Sequence, residues 1–283
     1  MTRIIGILVG LAFTVAVMWA FATGAYTAAT EGLGEPTAEK VFHEHPKQVH
    51  FASDGPFGRF DRQQLQRGYQ VYKEVCAACH SMKLVAFRNL EELGYTEAEV
   101  KAEAKAATVP GLDPNTGEPN TRPGLATDAF PSPYANDIAA RAANNNALPP
   151  DLSLIAKARH DGANYVYSLL TGYTEQPAAL LKQFPDSKTG TGLYYNPYFA
   201  NLNIAMPPPI HSDGQVTYAD GTKATVDQMA KDVSAFLIWT AEPTLDKRKQ
   251  TGWPVLGFLL FATVLAYLAK QQVWADKKKK KAA

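Results

Sequence analysis

The sequence predicts a mostly α-helical domain with long loops, flanked by two apolar helices that cross a membrane. Three observations carry that expectation. Residues 4–30 and residues 251–269 ("TGWPVLGFLLFATVLAYLA") contain no charged side chain, and about 20 apolar residues are what an α-helix needs to cross the hydrocarbon core. Between them, several stretches place apolar residues at helical spacing, and few alternate as strands do. The middle is about 200 residues long, enough for a single core without disulfides. No internal repeat is visible in it.

The C-terminal apolar segment reads as a membrane anchor rather than a buried core helix because of its flanks. Lys247, Arg248 and Lys249 precede it, Trp253 and Trp274 lie near its ends, and five lysines follow at 277–281. Interfaces prefer those residue types, and the lysine run points the C-terminus at the cytoplasm. The middle then lies on the other side. The N-terminal segment follows Arg3 and sends the middle across in either of two ways, as a cleaved export signal or as a retained anchor. Ala20-Phe21-Ala22 is an acceptable cleavage sequence, but a signal core is usually ~7–15 residues and residues 4–22 exceed that, which favours retention. The expected organisation is residues 1–30 as signal anchor or signal peptide, 31–246 as the exported domain, 247–275 as anchor and 276–283 as a cytoplasmic basic tail.

Within the exported part, residues 31–60 form an extended lead-in punctuated by Pro and Gly. A helix follows, with Leu65, Tyr69, Tyr72 and Cys76 on one face. "NLEELGYTEAEVKAEAKAA" reads as an exposed helix, and "TVPGLDPNTGEPNTRPG" as an ordered loop or insertion rather than an element. Further helices are expected at 134–144 and 162–170. The last helix of the domain opens with Thr225 and Gln228 in capping-box positions and turns Met229, Val233, Phe236 and Leu237 to one side.

The chain has 46% hydrophobic and 19% charged residues and a net charge of +1, ordinary for a globular protein with some membrane-spanning sequence. The total hides an asymmetry. Residues 31–246 hold 26 acidic and 18 basic residues, a net of −8, and the other ten basic residues lie near the ends against one acid, Asp276. No nucleic-acid partner is expected. Glu91, Glu92, Glu97 and Glu99 cluster within one segment, which a solvated helix face would explain by itself.

The only two cysteines stand in "VCAACHSM", with His80 directly after Cys79. A C-x-x-C pair can be a redox dithiol, half of a zinc site or, when His follows at once, a c-type haem attachment site. Structural zinc wants four closed ligands, and His43, His45, His50, His160 and His211 supply no second pair at finger-like spacing. A thioredoxin-like dithiol needs a βαβ setting, which the helical spacing before Cys76 does not offer. The haem reading is favoured: both thiols form thioethers, and the adjoining imidazole binds iron.

A sixth iron ligand is sought among five methionines. Met1 and Met18 belong to the N-terminal apolar segment, and Met82 is too close to His80 to reach the opposite haem face. Met229 falls at a core-facing helical position, where an apolar gap-filler is expected. Met206 lies in "NPYFANLNIAMPPPI", where three prolines stiffen the backbone just after the sulfur. Met206 is therefore the expected ligand, and Met/His ligation raises the haem potential.

Together, "RGYQVYKEVCAACHSM", "RAANNNALPPDLSLIAKARHDGANYVYSLLTGY", "LYYNPYFANLNIAMPPPI" and "AKDVSAFLIWTAEPTLDKRKQTG" resemble the cytochrome c1 family over roughly residues 40–275. The resemblance implies a class I c-type cytochrome domain enlarged by long loops, one covalent haem c, a periplasmic haem domain and a C-terminal transmembrane helix. It implies that Cys76 and Cys79 hold the haem and that His80 and Met206 ligate its iron, with Arg159 near a propionate. Asn144, Pro149, Pro150 and Ile155, and further along Tyr165, Phe199 and Ile204, would line the pocket; the apolar ones serve equally well as core residues. It also implies the respiratory bc1 complex (ubiquinol:cytochrome c oxidoreductase), a dimeric assembly in a bacterial inner membrane. Cytochrome b and a Rieske iron–sulfur subunit would be its partners, and a cytochrome c with a basic face its acceptor. Two other functions stay open on the residues: a free-standing, membrane-anchored cytochrome c, and a thiol oxidoreductase on a membrane stalk.

Overall fold

The computed structural model describes residues 2–30 and 36–279. In chain order the helices are α1 (Thr2–Thr30), α2 (Ala38–Phe42), α3 (Arg62–Val71), α4 (Glu97–Ala106), α5 (Asp137–Ala143), α6 (Ile155–Ala158), α7 (Gly162–Thr171), α8 (Ala178–Gln183), α9 (Val226–Ala241) and α10 (Leu245–Lys279). Among the described residues four short strands, β1 (Thr108–Leu112), β2 (Pro119–Pro123), β3 (Tyr194–Tyr195) and β4 (Asn203–Ile204), make two antiparallel pairs, β1 with β2 and β3 with β4. The fold is mostly α with long loops, as the spacing of apolar residues predicts. α1 and α10 are each long and apolar enough to cross a membrane, and their apolar windows bury nothing against the protein.

The chain divides into two compact units. One comprises residues 1–43 and 177–188, with α1, α2 and α8; in it Phe42 and Phe184 meet edge to face at 6.3 Å. The other comprises residues 44–176 and 189–283 and contains the main core.

That core is built where α3 lies across α9. Gly68 permits the approach: a Cβ there would stand 2.1 Å from the Asp232 carbonyl oxygen and 2.6 Å from the Phe236 Cβ. Leu65 and Tyr69 turn inward from α3, Tyr72 from the turn directly after it, and Met229, Val233, Phe236 and Leu237 from α9, each buried on the face that its periodicity predicts. Phe87 and Phe130 close the aromatic cluster, with centroids 4.9 Å apart. Asp232 is fully buried in this seam. Arg67 Nε donates to it at 2.9 Å, Gln64 Nε2 at 3.1 Å and Gln228 Nε2 at 2.8 Å, as a buried carboxylate requires.

Several local expectations are revised. Residues 108–124 contain an antiparallel hairpin rather than only a loop. Its turn is wound by Asp113, whose carboxylate accepts the N–H groups of Asn115 and Thr116 at 2.7 and 3.1 Å, and by Gly117 at a φ of +74°. The helix read over 89–107 is two pieces, a 3-10 turn at Phe87–Leu93 and α4, separated where Gly94 adopts a φ of +100°. Val100 and Ala104 of α4 are buried, so it is amphipathic rather than exposed. The lead-in at 31–60 contains α2; its residues 31–35 lie outside the described residues, as do residues 280–283 of the basic tail. Thr225 caps α9 by accepting the Gln228 N–H at 3.1 Å.

Candidate haem site

The C-x-x-C-H segment begins where α3 changes pitch. α3 ends at Val71, and Tyr72–Cys76 continue as a π turn, closed by the Ala77 N–H on the Tyr72 carbonyl at 2.8 Å. Single π turns are frequent at functional sites because the wider turn re-aims the residues after it. The N–H groups of Cys79 and His80 both return to the Cys76 carbonyl, at 3.1 and 2.9 Å. Two thiols and an imidazole are thus gathered in one tight turn. Cys76 lies against the core and Cys79 is exposed. Burial, and then the neighbouring Cys79, push the Cys76 thiol up to about 12. A redox dithiol has its reactive thiol lowered, and the strands here pair antiparallel without a βαβ unit.

His80 is fixed from the far side of the sequence. Its Nδ1 lies 2.8 Å from the Pro150 carbonyl oxygen; a carbonyl can only accept, so Nδ1 carries the proton and Nε2 the lone pair. Burial lowers the imidazole pKa and outweighs the Pro150 carbonyl and Asp151, which favour the cation. A neutral imidazole anchored through one nitrogen is the form that ligates a metal through the other.

Asp151 holds this arrangement together. Its carboxylate accepts from Ser81 Oγ at 2.8 Å and from the N–H groups of Lys83 and Ser153, each at 2.9 Å. The Leu152 N–H reaches the Ser81 carbonyl at 2.9 Å, and the Leu84 N–H reaches Ser153 Oγ at 3.1 Å. Residues 80–84 are zipped to 150–153. Beside them a cleft of ≈ 380 Å³ is lined by Cys79, Tyr134, Leu148, Pro149 and Pro150 among others. Asn144 stands behind this lining and donates to the Tyr134 hydroxyl at 3.0 Å.

Met206 belongs to a second, separately built group. Tyr173 donates its hydroxyl to the Met206 carbonyl at 3.1 Å. Burial raises the Tyr173 pKa, with Tyr165 and Tyr194 adding to the effect. Burial also raises the Tyr165 hydroxyl, against the charge and hydrogen bond of Arg159. Arg159, Tyr165, Tyr173 and Met206 therefore form one neighbourhood. Phe199 and Ile204 lie on the loop before Met206 that the β3–β4 pair closes, with Ile204 buried. Ile155 is buried in the main core, against which Tyr165 also packs. Met206 is half-buried whereas Met229 is 0% exposed inside the core, so only the Met206 side chain keeps surface for a group outside that core. His160 and His211 are exposed. Among the described residues no three His, Cys, Asp or Glu side chains gather as a metal cage.

Asp151, Tyr134 and Tyr173 are the site residues that sequence reasoning missed. Asp151 carried a local signal, since an Asp whose Oδ1 accepts the N–H two residues on makes an Asx turn; the two tyrosines act across the chain and carried none.

The residues fit a covalently held haem. They offer paired thiols in one turn, a neutral imidazole with a free nitrogen and a cleft beside Cys79 wide enough to admit a group. Attachment segment and mostly α domain define a c-type cytochrome. Comparison narrows the class. The model of the cytochrome c1 family matches residues 51–277. Cytochrome c1 of Rhodospirillum rubrum is 48% identical over 233 residues, 79% of this chain and 85% of that one. The mitochondrial cytochrome c1 haem protein of Saccharomyces cerevisiae is 46% identical over 237 residues, 84% of this chain and 74% of that one. A Bradyrhizobium diazoefficiens protein named cytochrome b/c1 is 48% identical over 237 residues, 78% of this chain and 34% of that one. The chain belongs to the cytochrome c1 family, electron-transfer proteins that carry a covalently bound haem c.

Proposed function

We propose that this chain is the haem c subunit of a bc1 complex in a bacterial inner membrane, with residues 31–246 on the periplasmic side and α10 as anchor. In this reading it accepts one electron at a time from a Rieske iron–sulfur subunit and delivers it to a cytochrome c. Reductase activity belongs to the complex, and this chain is its electron carrier. Partnership with cytochrome b is supported by two relatives, the one named cytochrome b/c1 and one from Candida albicans named as a catalytic subunit of the cytochrome b-c1 complex.

Bound at this site, haem c supplies one-electron redox chemistry at a potential that His/Met ligation sets high. Cys76 and Cys79 tether it through thioethers. Pro150 and Asp151 hold the His80 imidazole in one tautomer and one orientation, which leaves the Nε2 lone pair as the one that would ligate the iron. Met206 offers its sulfur from a loop that three prolines stiffen. Arg159 would offer charge-assisted bonds to a propionate. The observation that carries the ligation is the His80–Pro150 bond.

The test is purification of the full chain from membranes in mild detergent, with a pyridine haemochrome assay and analysis of what co-purifies. One covalent haem c together with a b-type cytochrome and an iron–sulfur protein is expected. A haem c protein that purifies alone would favour a free-standing anchored cytochrome, and a haem-free dithiol would overturn the site.

A further inference from the structure

The loop at residues 51–60 and the start of α10 are fastened to one another along a single stripe of that helix. Asp246, Lys249 and Trp253 stand at i, i+3 and i+7 and so share a face. At the top, the Phe60 N–H donates to Asp246 Oδ1 at 3.1 Å. In the middle, Lys249 Nζ donates to the carbonyls of Ser53 at 2.6 Å, Gly55 at 2.7 Å and Gly58 at 3.2 Å. At the bottom, Phe57 stacks on the Trp253 indole, with centroids 5.1 Å apart and planes at 11°. Phe57 nevertheless remains 76% exposed. The loop is a closed knob: the Arg59 N–H reaches the Ala52 carbonyl at 2.9 Å, and the Phe51 N–H reaches Asp54 Oδ2 at 2.7 Å. Gly55 takes a φ of +68°, and Gly58 lies where a Cβ would meet the Asp54 carbonyl oxygen at 1.9 Å.

We infer that the Phe57 knob is a membrane foot, an aromatic tip that α10 holds in the headgroup region of the lipid bilayer beside its own point of entry. Three observations choose lipid as the occupant. Trp253 is the third residue of the uncharged stretch at 251–269, so the stacked pair lies at the depth where aromatic belts form. Lys247 is exposed just above it, placed for anionic headgroups, while Arg248 pairs with Glu242. Much of the knob's backbone is already bonded within the protein, which lowers the cost of taking its tip out of water. Fastening the knob to α10 ties the domain to the membrane at a second point beside the helix. The inference uses only the membrane crossing of α10 and is independent of the electron-transfer reading.

The chain's only cysteines are Cys76 and Cys79, both consumed by haem attachment, so an added cysteine is the only free thiol of the holoprotein. Phe57→Cys, Thr116→Cys and Leu260→Cys, each labelled with an environment-sensitive fluorophore, are reconstituted at full length in vesicles of phosphatidylcholine and phosphatidylglycerol. Haem absorbance reports the fold. The label at 57 is expected to be blue-shifted relative to 116, quenched by headgroup-nitroxide lipid and largely lost to aqueous iodide; the label at 260 responds to acyl-chain nitroxide. Iodide quenching at 57 as strong as at 116 would overturn the foot. So would shielding of 57 from both iodide and lipid nitroxide, which means that a protein surface covers it. A label at 260 that lipid does not quench would overturn the anchor, and the foot with it.

Discussion

The Nδ1 of His80 donates to the carbonyl of Pro150, 70 residues further along the chain, at 2.8 Å. The prolyl carbonyl cannot be removed by substitution, but Asp151, which places it, can. Asp151→Ala removes the acceptor of three hydrogen bonds. After discounting for solvent at this partly exposed carboxylate, the cost is about 1–2 kcal/mol, read as a lower Tm. The haem potential should rise as well, because a loosened Nδ1 bond makes the imidazole less basic and favours the oxidised iron less. A lower Tm with an unchanged potential would mean that Asp151 only braces the loop.

The same carboxylate sets a pH dependence. Burial raises the Asp151 pKa, but bonds from Ser153, Lys83 and Ser81 outweigh it, and the folded value is lowered. Its contribution is therefore present above the ordinary aspartate range near ~4 and is lost as pH falls through the lowered folded value. Acid melts of the wild type and of Asp151→Asn should keep a constant separation above about pH 4 and converge as the pH falls below it. Parallel curves across that range would remove Asp151 from the account.

Gly68→Ala should destabilise the domain by about 1–3 kcal/mol or more, since its Cβ would meet the Asp232 carbonyl and Phe236 across the α3–α9 seam. Denaturant unfolding measures it. A change within about 0.5 kcal/mol, as for an ordinary surface site, would show that the two helices do not approach as described.

How much of this was legible in the sequence depended on the range of the interaction. The buried face of α9 could be read because Met229, Val233, Phe236 and Leu237 repeat every three to four residues and Thr225 marks the start. The π turn could not: residues 65, 69, 72 and 76 fit a plain α spacing, and only packing decides that the turn widens. The hairpin at 108–123 was hidden by Pro110, Pro119 and Pro123, which argue against strands in a sheet interior but not in a two-stranded ribbon with free edges. Cys76, Cys79 and His80 stand within five residues and form a readable motif, and the expectation for Met206 rests on the prolines after it. Asp151 and Tyr173 act on residues 70 and 33 positions away, and no local pattern encodes such a pairing.

Residues 31–246 carry −8, and a carrier that must bind and release its partner gains from long-range attraction without a tight interface. Reduction of a basic cytochrome c should slow steeply as the Debye length shortens to ~8 Å near physiological ionic strength. Stopped-flow rates at rising salt measure this. A rate that stays flat or rises means apolar docking, with the acidic balance serving solubility.

Both apolar terminal helices are expected to remain in the mature protein, with both ends cytoplasmic, since Arg3 and the lysines at 277–281 satisfy the positive-inside rule for two spans. Intact mass decides it. A mature chain that starts near Thr23 or later would leave α10 as the one anchor.

The central claim is that His80 and Met206 hold the iron of a covalently attached haem c. It is tested most directly by redox titration of Met206→Leu beside Met229→Leu, each with its pyridine haemochrome. Met206→Leu should keep covalent haem, because Cys76 and Cys79 are untouched, and should lose the high potential that the thioether maintains. Met229→Leu replaces a wholly buried core side chain by one of similar volume, so it should cost less than about 1.5 kcal/mol and leave the potential where it was. An unchanged potential in Met206→Leu with a lowered one in Met229→Leu would contradict the account.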